Sequence, residues 1–347
     1  MHFPSPKELK QELPINASIR SFIAESRYAA QKIVSGEDQR LAILVGPCSV
    51  HEVEGTIEYA EKLADLAERV RESCFLVMRV CVEKPRTGLG WKGMLYDPHL
   101  NGSHQIQAGI RQSRRILLDL AKRGVATVME FVDPLASSYF DDLLVWGLVG
   151  ARTSSSQPHR QLASSLSFPV GFKNGLDGEI EPIINSLQSA ASPHTFLHVN
   201  QDGQLSPIES QGNPFAHLIL RGSIREPNYD ASFIEYASKR LALQNLPTRL
   251  MVDCAHGNCQ KDYLRQKEAF LEVLRQIEEG NETIMGLMLE SYLHAGNQSL
   301  SEGELSLKSG LSITDPCLDW SSTEELILSA SKLLEISSSD SGSGRRP

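Results

Sequence analysis

Short apolar runs and longer amphipathic stretches alternate along nearly the whole chain. The runs fall at 41–45, 75–82, 125–131, 146–151, 169–172, 216–220, 249–253 and 283–289. They lack a strict in–out alternation, which predicts strands covered on both faces, as in a parallel sheet. Segments 55–71, 105–122, 178–190, 231–243 and 260–279 carry apolar residues at helical spacing. Eight strands separated by helices predict an α/β fold, a (β/α)8 TIM barrel, with a doubly wound open sheet as the competing arrangement.

Three pieces fall outside this rhythm. Residues 1–40 form an N-terminal arm with a helix near 19–34, and 195–215 read as a β-hairpin insertion around Asp202-Gly203. Residues 336–347 are Ser/Gly-rich and expected to be disordered. Just before them, Ser322-Thr323-Glu324-Glu325 fits a capping box opening the last helix. No internal repeat or linker divides 41–335, which is expected to be one barrel domain.

Composition narrows the class. The 347 residues carry a net charge of −9, which argues against a general nucleic-acid binder. No stretch approaches the roughly 18 apolar residues of a membrane span. The N-terminus lacks a basic start followed by an apolar run, so a cytoplasmic location is expected. There the six cysteines, Cys48, Cys74, Cys81, Cys254, Cys259 and Cys317, are expected as thiols.

Within this acidic total, the cations have a pattern. Arg79 lies inside the second apolar run, with Lys84, Arg86 and Lys92 soon after it. Arg152, Lys173 and Arg221 each end a later run. In a parallel barrel every strand C-terminus opens on one face, which would gather these cations at a single mouth. Desolvating so many cations requires counter-charge, and guanidinium forks suit phosphate and carboxylate oxygens. Gly88-Leu89-Gly90-Trp91-Lys92-Gly93 matches a dinucleotide fingerprint, but Leu95-Tyr96-Asp97-Pro98 cannot open the helix that such a site needs. A glycine loop over a phosphorylated substrate fits better.

Four candidate metal ligands also sit at run ends: Cys48, His256, Glu290 and Asp315. A thiolate, an imidazole and two carboxylates suit one borderline divalent ion such as Mn, Fe, Co or Zn. An ion beside a polyanion pocket points to Lewis-acid chemistry on small phosphorylated acids, either aldol-like or phosphate-releasing.

The same residues carry a family resemblance. Val45-Gly46-Pro47-Cys48-Ser49-Val50-His51, Glu83-Lys84-Pro85-Arg86-Thr87, Gly90-Trp91-Lys92-Gly93 and Gly150-Ala151-Arg152-Thr153 resemble motifs of the class I DAHP (3-deoxy-D-arabino-heptulosonate 7-phosphate) synthases. So do Pro169-Val170-Gly171-Phe172-Lys173-Asn174-Gly175, Glu226-Pro227-Asn228-Tyr229, Gly296-Asn297-Gln298-Ser299 and Ser312-Ile313-Thr314-Asp315. The resemblance runs from about 6 to 334, and it is to the microbial subgroup regulated by an aromatic amino acid. His256-Gly257-Asn258-Cys259-Gln260-Lys261 and Asp315-Pro316-Cys317 lean toward the tryptophan-sensitive branch, and Ser167 leans away from the tyrosine-sensitive type.

What the resemblance implies is specific. Arg79, Lys84, Lys92, Ala151, Arg152, Lys173 and Arg221 would bind phosphoenolpyruvate, with Arg152 and Arg221 on its phosphate and Lys84 near the reacting carbons. Pro85, Arg86 and Thr87 would bind erythrose 4-phosphate. Cys48, His256, Glu290 and Asp315 would hold the metal, and Glu130 would orient the phosphoenolpyruvate end and water. An aromatic amino acid effector and a homodimer or homotetramer are implied in the same way. The chain departs from the family pattern at Cys81, Met129, Ser155, Gln161 and Tyr292, and Ser223-Ile224-Arg225 adds a residue beside Arg221. A sibling synthase acting on another aldose phosphate, a metal-dependent aldolase and a non-catalytic regulatory paralogue are the competing readings.

Overall fold

The structure, a computed structural model, describes residues 3–300 and 307–343. The arm begins with α1 (Pro6–Glu12) and α2 (Ala17–Ser35). There follow β1 (Leu41–Gly46), α3 (Glu54–Arg69), β2 (Cys74–Arg79), α4 (Ile106–Lys122), β3 (Thr127–Glu130), β4 (Trp146–Val149), α5 (Gln157–Ser165), β5 (Val170–Lys173) and α6 (Glu181–Ala190). The chain continues through β6 (Thr195–Val199), β7 (Leu205–Glu209), β8 (Ala216–Leu220), α7 (Ala231–Ala242), β9 (Leu250–Asp253), α8 (Arg265–Glu278), β10 (Ile284–Glu290) and α9 (Trp320–Ser343).

Eight strands close in the order β1-β10-β9-β8-β5-β4-β3-β2, all parallel. The open-sheet alternative is thereby excluded, and the fold is a (β/α)8 barrel. Every residue of β1, β4, β5, β8, β9 and β10 is buried, between the barrel interior on one side and the helices on the other. That double covering is the reason for unbroken apolar runs. Amphipathic helices seal the outside; α4, for example, buries Ile110, Ile116, Leu117 and Leu120.

The insertion is an antiparallel hairpin of β6 and β7 outside the barrel. The arm lies against it: Lys7 Nζ is 2.9 Å from Asp202 and Lys10 Nζ is 3.0 Å from Gln201 Oε1, while Lys10 also reaches Asp141 before β4 at 2.6 Å. Arg114, fully buried, forks onto Asp142 at 2.7 and 2.8 Å and donates to the Leu13 carbonyl, tying arm to barrel. Two local expectations change. The last helix starts at Trp320, because Asp319 accepts from the Ser322 N–H at 2.8 Å, so the cap lies upstream of Ser322. Residues 336–343, expected to be disordered, continue that helix, and 344–347 lie outside the described residues.

Candidate active site

A cavity of about 780 Å³ opens at the C-terminal ends of the barrel strands. Strand ends deliver its charge. Arg79 closes β2, Glu130 closes β3, Lys173 closes β5 and Glu290 closes β10. The loop after β2 brings Lys84, Pro85, Arg86 and Thr87, and the loop after β4 brings Ala151 and Arg152. Arg221 follows β8 and His256 follows β9, while Asp315 comes from the long connection between β10 and α9. Cys48 sits two residues beyond β1, fully buried beneath the cavity.

Lys92 is placed elsewhere. Gly93 takes φ +110°, and any Cβ there would lie 2.2 Å from the Val82 carbonyl, so the chain turns sharply back along its own path. Lys92 ends up exposed outside the cavity lining, and its carbonyl accepts the Lys84 N–H at 2.9 Å. That backbone bond braces the Lys84 loop.

The cations are partly countered inside. Arg79 Nη2 is 2.9 Å from Glu290 Oε1, and Lys173 Nζ is 3.0 Å from Asp253 and 4.0 Å from Glu130. Burial alone would raise the Glu130 carboxyl, but Lys173, Lys84 and Arg79 outweigh it and hold it below the usual range. Gly150 makes room for that carboxylate, since a Cβ would lie 2.2 Å from Glu130 Oε1. Burial lowers Arg221 from its ordinary value, and Arg152 lowers it further against the pull of Asp253 and Glu290. Arg152 itself donates to Thr87 Oγ1 at 2.8 Å, bridging two strand-end loops. Cations from β2, β4, β5 and β8 thus face one another across a cavity whose own acids do not balance them all. Such a mouth attracts a dianion or a pair of anions.

Beneath this ring lies a donor cluster. One atom each from Cys48, Glu290 and Asp315 lie within 4.8 Å of one another, and Cys48 Sγ is 3.5 Å from Asp315 Oδ2. His256 is held slightly apart from that trio, with Nε2 3.6 Å from Glu290 Oε1. Its backbone is left-handed at φ +59°, a conformation that a side chain adopts at a cost. Burial and the Glu290 carboxylate push the Cys48 thiol up to about 12, against the opposing pull of Lys84, whose ammonium is 3.1 Å from Sγ. One sulfur, one ring nitrogen and two carboxylates make a donor set that fits a borderline divalent ion, whose charge would reverse that thiol preference.

Two participants escaped the sequence reading. Asp253, fully buried, lies 2.9 Å from His256 Nδ1. Its position at the end of the run 249–253 is the same signal that singled out Glu290. Gln266, from α8, accepts the Glu290 N–H at 2.8 Å and donates to its carbonyl at 3.1 Å, fixing the backbone of a candidate ligand.

The DAHP synthetase I family profile matches residues 15–328. The chain belongs to the DAHP synthetase I family. It is 44% identical over 323 residues to a tyrosine-sensitive phospho-2-dehydro-3-deoxyheptonate aldolase of Escherichia coli K12, covering 93% of this chain and 90% of the relative. To a tryptophan-sensitive phospho-2-dehydro-3-deoxyheptonate aldolase of Salmonella typhimurium LT2 it is 43% identical, covering 93% and 92%. The solved phospho-2-dehydro-3-deoxyheptonate aldolase of Francisella tularensis SCHU S4 superposes with a TM-score of 0.94 at 36% identity, covering 97% of this chain and 98% of that one. Members of the DAHP synthetase I family are transferases acting at the first step of aromatic amino acid biosynthesis, and this chain is an enzyme of that kind. Among the described residues, no helix is long and apolar enough to cross a membrane.

Proposed function

We propose that the chain joins phosphoenolpyruvate to D-erythrose 4-phosphate and water, giving 3-deoxy-D-arabino-heptulosonate 7-phosphate and inorganic phosphate. The observation that carries this reading is the meeting, in one cavity, of cations from β2, β4, β5 and β8 with the Cys48–Glu290–Asp315 donor cluster. Arg152 and Arg221 would take the phosphate of phosphoenolpyruvate, with Arg79, Lys173 and the Ala151 backbone about its carboxylate end. Arg86, Pro85 and Thr87 would hold the sugar phosphate. Cys48, His256, Glu290 and Asp315 would hold one divalent ion, Mn, Fe, Co or Zn, which when bound supplies Lewis acidity toward a carbonyl oxygen.

The residues of the chain supply the rest. C3 of phosphoenolpyruvate bonds to the aldehyde carbon of the sugar while both substrates are clamped, so the entropy of their meeting is settled on binding. Lys84, half-buried and kept as an ammonium by Cys48 and Glu290 despite desolvation, places a proton donor beside the reacting carbons. Glu130, held ionised, orients the water that adds at C2. The resulting hemiketal phosphate breaks its C–O bond and inorganic phosphate leaves. Arg152 and Arg221 stabilise the charge that grows on the departing oxygens.

Phosphate release by the purified, metal-supplied protein tests the reading. Release that needs both substrates supports it, whereas release with arabinose 5-phosphate in place of the tetrose supports a sibling synthase. Carbon–carbon cleavage without phosphoenolpyruvate indicates an aldolase, and silence with metal present indicates a non-catalytic paralogue. A cytoplasmic homodimer or homotetramer inhibited by an aromatic amino acid belongs to the same proposal; the tyrosine and tryptophan sensitivity in the relatives' names supports the effector. A second hollow of about 200 Å³, bounded by Lys10, Arg27, Asp141, Ser167 and Phe168, offers both charges an amino acid needs. An inhibition panel of the three aromatic amino acids tests that part.

A further inference from the structure

Among its described residues, the connection that carries Asp315 has no helix or long strand, yet the Asp315 carboxylate must meet Cys48 and Glu290. Fixing a free backbone costs conformational entropy at every residue, so some other group has to hold this segment. The structure shows which. Glu52, four residues after Cys48, accepts the Gly310 N–H at 2.6 Å and the Tyr292 hydroxyl at 2.9 Å on Oε1, and the Ser309 hydroxyl at 2.7 Å on Oε2. Its own carbonyl accepts from Thr56 Oγ1 at 2.6 Å, which fixes Glu52 to the start of α3.

Tyr292 completes the anchor from the other side. It is 1% exposed and stands two residues beyond Glu290, and its N–H donates to the Leu318 carbonyl at 2.8 Å. Its ring meets His51 edge-on, with centroids 6.1 Å apart, and the His51 Nε2 lies 3.8 Å from Glu52 Oε1. The junction tolerates no added atom. A Cβ at Gly55 would lie 2.5 Å from the Tyr292 hydroxyl and 2.6 Å from Glu52 Oε1. A parallel tie, Ser49 Oγ to Thr314 Oγ1 at 2.8 Å, joins the same two segments one residue from each candidate ligand.

We infer that Glu52 and Tyr292 are positioning residues for Asp315: they lock 308–315 to the Cys48 loop and thereby set the affinity for the divalent ion. The inference rests on the reading of Cys48, Glu290 and Asp315 as ligands. Three donors converge on one carboxylate, and hydrogen bonds to a charged acceptor are the stronger kind. Removing one loosens the Asp315 segment while leaving every ligand in place.

The test is titration of the metal-free protein with cobalt(II), followed by the thiolate-to-cobalt absorption band and by chelator competition. Tyr292→Phe deletes one hydroxyl, and Glu52→Gln keeps the shape but removes the charge. Each is expected to weaken cobalt binding by about 10- to 100-fold, the range found for residues that orient metal ligands. The double variant should lose little more than one single variant, because both act through one anchor. Hydrogen exchange at the Gly310 amide should quicken in both. Unchanged cobalt affinity in a variant with parental circular dichroism overturns the inference while leaving the ligand reading intact. Should Glu52→Gln fail to fold, Tyr292→Phe decides alone. A parent protein that takes up no cobalt overturns the ligand reading and this inference with it.

Discussion

Asp253 Oδ2 lies 2.9 Å from His256 Nδ1, at a position with no solvent exposure. The same oxygen is 3.0 Å from Lys173 Nζ. Burial would raise this carboxyl, but His256 and Lys173 overcome it and hold it well below the ordinary range. A carboxylate behind one ring nitrogen orients the other, here Nε2, toward Glu290. Asp253→Asn should therefore weaken ion binding by about 10- to 100-fold with the fold intact. Calorimetric titration with manganese checks this, and parental affinity would show that Asp253 serves Lys173 alone.

Arg86 is exposed, and its Nε donates to the Trp91 carbonyl at 2.7 Å, leaving the fork ends free to face a ligand. Arg86→Ala should raise KM for erythrose 4-phosphate and change KM for phosphoenolpyruvate little. A hydrogen bond to a charged group contributes about 1.5–3 kcal/mol, or about 10- to 100-fold in KM. Steady-state kinetics in each substrate separates the two. An unchanged sugar-phosphate KM would remove Arg86 from the site.

Cys48→Ala deletes the only sulfur donor of the cluster and also the partner of Lys84 at 3.1 Å. Phosphate release should disappear in this variant at metal concentrations that saturate the parent. Chelation of the parent should do the same and be reversed by added metal. Full turnover in the metal-stripped variant would contradict the assignment.

Glu83 is 1% exposed, and burial pushes its carboxyl up to about 8, with Asp133 adding to the rise and a hydrogen bond from the Tyr96 hydroxyl at 3.1 Å opposing it. A carboxyl raised on folding favours the protonated native state. Its stabilisation is complete below the unfolded value of 4.5 and is lost as pH climbs toward about 8. Each pH unit in that window removes up to about 1.4 kcal/mol. Thermal unfolding of the parent, relative to Glu83→Gln, should decline between those limits and run level above them. A constant difference would show that Glu83 titrates normally.

How much of this was legible in the sequence depends on where the deciding contact lies. Strands such as β1 were visible to within a residue because burial on both faces leaves no polar position to blur the run. Helix α1 was not seen, although Ser5 and Glu8 form a reciprocal capping box, because only Pro6 and Leu9 are buried and so few apolar positions make no period. The placement of Lys92 outside the cavity lining was not legible, because closeness to Lys84 in sequence says nothing of the turn at Gly93. Glu52 gave no signal at all, since Tyr292 and Gly310 are 240 and 258 residues away.

The ring of strands shuts where β1 pairs with β10, and Gly46 lies in register with Glu290. Cys48 and Glu290 therefore stand on opposite sides of the closing seam, contributed by the first and last staves of the cask. A chain emerging from synthesis holds one donor long before it owns the others. Tight retention of an ion by these side chains would thus certify that the wall has been completed, and such an ion would act as a rivet across its last joint.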